Sequence, residues 1–351
     1  MGRSMPVNKR VYVIYTGGTI GMVKTVNGYA PKKNYLVDKI KTIVDFYHDE
    51  VPEFYIHEYE HLIDSANIKP EDWIDIATDI VKNYNDYDGF VILHGTDTLA
   101  YTASALSFIL GGLSKPVICT GSQIPISELR SDASDNILHS LILAANEHIS
   151  EVCLFFHKKL LRGNRAVKVN SEGMDAFSSP NYPALGEVGI DVKLDKARLQ
   201  PKMAFNVQRK LEELQNFQRS KVAILSIFPG FDPEILSQVL KSNLKGLVLK
   251  TYGAGNIMDN PKIIEILTKA STEGVIIVNC SQCLTGSVKA GVYEAGTALI
   301  KAGVLSGFDM TDEAALTKLF YLLSSERDSL EKVKGLLVEN LYGELTEKQE
   351  G

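Results

Sequence analysis

Three apolar runs in this chain stop abruptly on small hydroxyl-bearing residues, and those stops are where chemistry can be done. Residues 11–15 run into Thr16-Gly17-Gly18-Thr19, residues 89–94 into Gly95-Thr96-Asp97-Thr98, and residues 116–119 into Thr120-Gly121-Ser122-Gln123. A threonine hydroxyl is a weak nucleophile until a base or an oriented dipole activates it. Asp97 stands beside Thr96, and Lys168 sits in a plausible strand over residues 164–169. A Thr–Asp–Lys group can relay protons, the carboxylate holding the lysine and the lysine acting on the hydroxyl. Two plainer readings stay open here. Asp97 equally suits the N-cap of a helix beginning at Thr98, and Lys168 equally suits a solvated surface. The turn at Thr16–Gly17–Gly18–Thr19 has neither the Gly-Lys-Ser/Thr of a phosphate loop nor G-x-G-x-x-G, so something other than phosphate cradling is needed.

Two further motifs bear on metals. His57-Glu-Tyr-Glu-His61 spells the zinc-protease pattern, which requires a helix so that both histidines share a face. Residues 54–63 read as a strand, where two such histidines stand about 13 Å apart. Cys280-Ser-Gln-Cys283 has no second Cys or His pair near it, so it reads as two packed or pocket-lining thiols rather than a redox or zinc site. No metal and no cofactor is expected.

The elements that carry these residues alternate. Apolar runs of strand length at 11–15, 89–94, 116–119 and 152–156 are separated by helical periodicity at 36–47, 70–84, 99–110 and 131–146. Residues 22–34 carry Asn27-Gly28 and Pro31 and read as a loop able to act as a mobile lid. The rhythm restarts at Lys221, with strands at 222–227, 247–249 and 275–278, helices at 233–241, 261–271 and 293–302, and two terminal helices. The fold class is therefore α/β. A larger N-terminal domain (1–194) has a mainly parallel sheet covered by helices, and a linker (195–220) leads to a smaller C-terminal parallel α/β, flavodoxin-like domain (221–351). The 351-residue chain is 45% apolar and 23% charged with formal net charge −6. No long basic run supports nucleic-acid or membrane binding. The apolar run after the basic N-terminus is too short for a signal peptide, and four cysteines make no disulfide framework. A soluble cytoplasmic protein is expected.

Thr16-Gly-Gly-Thr-Ile and His94-Gly-Thr-Asp-Thr98 together resemble the two signatures of bacterial-type L-asparaginases. Leu62-Ile-Asp-Ser-Ala-Asn67, Thr120-Gly-Ser-Gln-Ile-Pro125, Arg162-Gly-Asn-Arg165, Tyr252-Gly-Ala-Gly-Asn256 and Gln282-Cys-Leu-Thr-Gly286 resemble the cytoplasmic type I branch, collinearly and over essentially the whole chain. The resemblance implies hydrolysis of L-asparagine through a threonine acyl-enzyme, in a homodimer or homotetramer. It assigns the nucleophile to Thr19, the lid tyrosine to Tyr29, and the second threonine with its aspartate and lysine to Thr96, Asp97 and Lys168. Ser65 and Asp97 match the groups holding the substrate's α-carboxylate and α-ammonium, and the Ser122 backbone matches the lining of the amide pocket. Some type I enzymes bind a second asparagine, at positions matching Val167, Lys250, Asn256 and Cys283. Lys250 replaces an arginine there and Val167 a threonine, so one planar fork and one hydroxyl are lost.

Two rival functions follow. One is an enzyme of the same fold acting on glutamine, or an amidotransferase subunit, which would be expected to carry extra N-terminal sequence. The other is a catalytically silent amino-acid binding module, for which two hydroxyls and a lysine would be superfluous.

Overall fold

The apolar runs become the middle of a sheet. In the computed structural model, which describes residues 9–26, 28–289, 294–324 and 329–346, two compact units divide between Gln215 and Asn216.

In the first unit, β1 (Arg10–Gly17) is buried from Val11 onward and leads through a 3-10 turn (Thr19–Gly21) into an antiparallel hairpin of β2 (Met22–Thr25) and β3 (Gly28–Pro31). The segment expected to be a loop is therefore partly a two-stranded ribbon; Asn27 lies outside the described residues. Helix α1 (Tyr35–Ile40) is shorter than the periodicity predicts and gives way to a 3-10 turn at Val44–Tyr47. The β-branched run Thr42-Ile43-Val44 crowds a helical backbone and explains the break. There follow β4 (Glu53–Ile63), α2 (Pro70–Lys82), β5 (Gly89–Leu93), α3 (Leu99–Ile109), β6 (Val117–Thr120), α4 (Ala133–Ala144), β7 (Val152–Phe156) and β8 (Lys159–Arg162). Two short strands, β9 (Val167–Lys168) and β10 (Phe177–Ser178), pair with each other; β11 (Gly186–Val188), β12 (Val192–Leu194) and α5 (Val207–Gln215) complete the unit.

The eight-stranded order is β12-β11-β8-β7-β6-β5-β1-β4. Strands β4, β1, β5, β6 and β7 are mutually parallel, whereas β8, β11 and β12 add antiparallel. The reversal from β7 to β8 rests on His157 (φ 43°) and Lys158 (φ 71°), a two-residue turn with both central residues left-handed. Within the parallel part the chain goes from β1 outward to β4 and then back across to β5. That makes the gap between the ends of β1 and β5 a topological switch point, where open α/β sheets leave a crevice. Helix α2 shows why the covering layer forms. Pro70 opens it, the Asp72 carboxylate accepts the Lys69 amide at 2.6 Å, and Trp73, Ile76, Ala77, Ile80 and Val81 repeat on the buried stripe. Residues 195–220, read as the linker, include α5, which packs on α2 and buries Leu214.

In the second unit, β13 (Val222–Ser226), α6 (Pro233–Leu240), β14 (Gly246–Thr251), α7 (Pro261–Thr272), β15 (Ile276–Ser281), α8 (Glu294–Lys301) and β16 (Leu305–Ser306) precede α9 (Asp312–Leu323) and α10 (Leu330–Val338). Its four strands are parallel and stand in chain order, with apolar clusters of the helices on them. A fully buried ion pair, Lys318 to Glu344 at 2.6 Å, ties the C-terminal segment to α9. Among the described residues no helix is long and apolar enough to cross a membrane.

Candidate active site

Four loops meet at the carboxyl ends of β4, β1, β5 and β6, and glycines let them approach closely. A Cβ on Gly18 (φ 87°) would lie 2.3 Å from the Gly95 Cα, and one on Gly95 would lie 2.5 Å from the Ser65 Oγ. Only glycine allows that approach. Thr98 Oγ1 donates to the Ser65 carbonyl at 2.7 Å, closing the β4 loop onto the β5 loop. Thr19 opens its 3-10 turn half-buried on this crevice, and Ser65 is buried beside it.

The predicted Thr–Asp–Lys group is assembled. Lys168 Nζ lies 2.9 Å from Thr96 Oγ1 and 2.7 Å from Asp97 Oδ1. Strand β9, pairing Lys168 opposite Phe177, delivers the ammonium. Asp97 does not cap α3, whose N-cap residue is Thr98; its carboxylate faces Lys168 with the side chain 65% exposed. The solvated-surface reading of Lys168 also fails, since its side chain is only 19% exposed.

The β6 loop is held from below. Asp132, which offers α4 no side-chain cap, instead accepts the amides of Gln123 and Ile124 at 3.0–3.1 Å. Asn136 Nδ2 donates to the Gly121 carbonyl at 3.0 Å. Ser122 is buried, its hydroxyl donating to the Ile124 carbonyl at 2.8 Å. Gln123, a residue with no role in the sequence reading, accepts from the Thr96 hydroxyl at 3.3 Å. Its position in the Thr120-Gly-Ser-Gln stretch was the available signal.

His94 was also missed. Trp73 Nε1 can only donate, and it reaches Thr102 Oγ1 at 3.1 Å. The Thr102 hydroxyl is then free to donate to His94 Nε2 at 3.0 Å, so the ring proton sits on Nδ1 and goes to the Gly95 carbonyl at 2.7 Å. This chain of donors fixes the peptide that carries Thr96. Burial lowers the His94 pKa from 6.5 to about 4.

Tyr29, on β3, is 48% exposed. Desolvation and the Glu128 carboxylate, which accepts its hydrogen bond, raise the phenol above its usual value. Glu128 lies on a loop fastened to the Thr19 turn, with the Ile126 amide donating to the Ile20 carbonyl at 3.1 Å.

The other expected residues stand as follows. His57 and His61 are on the strand β4, where His57 Nδ1 contacts Asp79 at 2.9 Å and the Tyr12 hydroxyl at 2.8 Å. No group of three or more His, Cys, Asp or Glu among the described residues is placed to hold a metal ion. Cys280 is buried and Cys283 exposed. Lys250, the penultimate residue of β14, forms an ion pair with Asp312. Asn256 bridges back to Tyr252 just beyond that strand, and Cys283 follows β15 with its amide on Ser281 Oγ at 3.0 Å. Val167 precedes Lys168 on β9 of the first unit.

Two family models match the chain: "Asparaginase, N-terminal" over residues 10–200 and "Glutaminase/Asparaginase C-terminal domain" over residues 221–337. The chain is 48% identical to L-asparaginase 1 of Escherichia coli (strain K12), over 96% of this chain and 98% of that protein. The crystal structure of L-asparaginase I from Vibrio cholerae superposes with a TM-score of 0.87 at 46% identity, covering 97% of this chain and 100% of that one. The thermostable L-asparaginase from Thermococcus kodakarensis gives a TM-score of 0.82 at 34% identity, covering 97% and 100%.

Proposed function

The chain belongs to the asparaginase family, and on that footing we propose that it hydrolyses L-asparagine to L-aspartate and ammonia through an acyl-enzyme on Thr19. The observation that carries the reading is the Lys168 ammonium bridging Thr96 Oγ1 and Asp97 Oδ1 at 2.9 and 2.7 Å, beside the loop that bears Thr19. The Thr19 oxygen attacks the side-chain amide carbon, and the proton it loses goes to the departing nitrogen, which leaves as ammonia. Water then attacks the ester, its proton returns to the Thr19 oxygen, and aspartate is released. Thr96 and Lys168 handle the transferred proton, with Asp97 orienting the lysine. Backbone N–H groups at the strand-end turns suit the developing oxyanion. Ser65 and the exposed Asp97 carboxylate anchor the substrate's α-groups, the Ser122 backbone lines the amide pocket, and Tyr29 covers the cleft. The working protein is a cytoplasmic homodimer or homotetramer.

Ammonia release from L-asparagine and from L-glutamine, measured side by side, tests this directly. Faster release from glutamine would favour the glutaminase rival, and none from either would favour a binding module. Thr19→Ala is expected to abolish turnover with the fold intact. Lys168→Met is expected to lower it by about 10²–10⁴-fold, the usual scale for a lost proton-transfer partner. Near wild-type turnover in either variant would sink the assignment.

A further inference from the structure

We propose that Gln123 orients the Thr96 hydroxyl so that Thr96 presents a lone pair, not a hydrogen, to the cleft, and that this makes the site select an amide over a carboxylate. The inference rests on the asparaginase reading and names what sets its preference for substrate over product.

A hydroxyl has one hydrogen to give and two lone pairs to receive with. Lys168 Nζ, 2.9 Å from Thr96 Oγ1, can only donate as an ammonium and takes one lone pair. Gln123 Oε1, at 3.3 Å, takes the hydrogen. An amide can be turned end for end, so the orientation of Gln123 has to be settled by its other partners. Its Nε2 faces two carbonyls, Gly173 at 3.0 Å and Ser171 at 3.3 Å. Both only accept, and a flipped amide would set oxygen against oxygen at each. The loop carrying them is stiff, since Asn170 Oδ1 accepts the amides of Glu172 and Gly173, each at 2.9 Å. At the main chain, the Asp132 carboxylate accepts the Gln123 backbone N–H at 3.0–3.1 Å. Gln123 is thus held through its backbone and its side chain, and in the resting site, before any proton moves through Thr96 and Lys168, the open direction at Thr96 Oγ1 is an acceptor.

Asparagine ends in an NH2 group, which donates. Aspartate ends in a carboxylate, which at neutral pH only accepts. A lone pair aimed into the cleft attracts the first and repels the second, so the product is expelled by the same atom that welcomes the substrate. Gln123 acts through Thr96 and is a positioning residue.

The experiment compares kcat and KM for asparagine with the calorimetric Kd for aspartate in three proteins: wild type, Gln123→Met and Gln123→Glu. Methionine keeps the length and loses the acceptor, which frees the Thr96 hydrogen to swing into the cleft. Aspartate should then bind about five- to tenfold more tightly while the asparagine KM rises by a similar factor, the scale of one hydrogen bond. Glutamate keeps an acceptor for Thr96 but loses the contacts to Ser171 and Gly173, so aspartate should bind no more tightly than to wild type. Thermal melts confirm that each variant is folded, and Gln123 is only half-buried. If substrate and product weaken together in Gln123→Met, or neither moves, or Gln123→Glu behaves as the methionine variant does, the inference is overturned. Wild-type protein that releases no ammonia from asparagine would overturn the proposed function as well, a result read independently of the variants.

Discussion

A proton is what His94 is built not to take. It is 1% exposed, its Nε2 already accepts from Thr102, and its Nδ1 already donates to the Gly95 carbonyl. Burial disfavours the charge a second proton would bring, and it lowers the pKa from 6.5 to about 4 against the opposite pull of the Gly95 carbonyl. The sign of the consequence follows. Between those two values the unfolded chain binds more protons than the folded one, so stability falls as pH falls through that window and is intact above it. The size is about 2–3 kcal/mol between pH 7.5 and 4.5. Urea titrations at both pH values should show a His94→Gln variant losing about 2 kcal/mol less than wild type over the same interval. An equal loss in the two proteins would show that the histidine titrates freely. Histidine, threonine and tryptophan were each visible in the sequence at positions 94, 102 and 73. Their linkage was not, because a histidine tautomer is decided by partners brought in from α2 and α3.

At the scale of elements, the hairpin of β2 and β3 is expected to move. A lone two-stranded ribbon is marginal in water, and Lys24, Thr25, Gly28 and Tyr29 on it are exposed. Its tie to the body through the Tyr29–Glu128 hydrogen bond can be exchanged for a contact over bound ligand, which would exclude water from Thr19. Trypsin is therefore expected to cut the free protein at Lys24, Lys32 or Lys33, all exposed, and to cut it several-fold more slowly with aspartate bound. Identical cleavage rates would mean a fixed cover. The central strands were legible beforehand as short apolar runs, since a strand buried on both faces has no polar side. The β7–β8 reversal was not: His157-Lys158 lacks the Asn-Gly or Asp-Gly that marks such a turn. Pairing with β8 and β11 decided it.

For the whole molecule, the question is whether a second asparagine regulates the first. Lys250, where the resemblance implies an arginine, is already paired with Asp312 inside the second unit. An effector carboxylate would have to compete with that partner, without a planar fork to reward it. Val167 offers no hydroxyl. Coupling energies are commonly about 1–3 kcal/mol, little enough for such losses to erase. Initial rate against asparagine concentration is thus expected to be hyperbolic, with a Hill coefficient of about 1. A sigmoidal curve that a bulky substitution at Cys283 flattens would show a working effector site. The sequence by itself determined the family and the α/β class and singled out Thr19, Thr96, Asp97 and Lys168 as candidates, because glycine-bounded apolar runs and reactive side chains are local properties of the chain. Only the tertiary structure decided that Asp97 faces Lys168 instead of capping α3, that Gln123 holds the Thr96 hydrogen, and that His94 is neutral. Each of those depends on which way a hydrogen bond points, and its direction is set by a partner 27 or more residues away for Gln123 and 71 for Asp97.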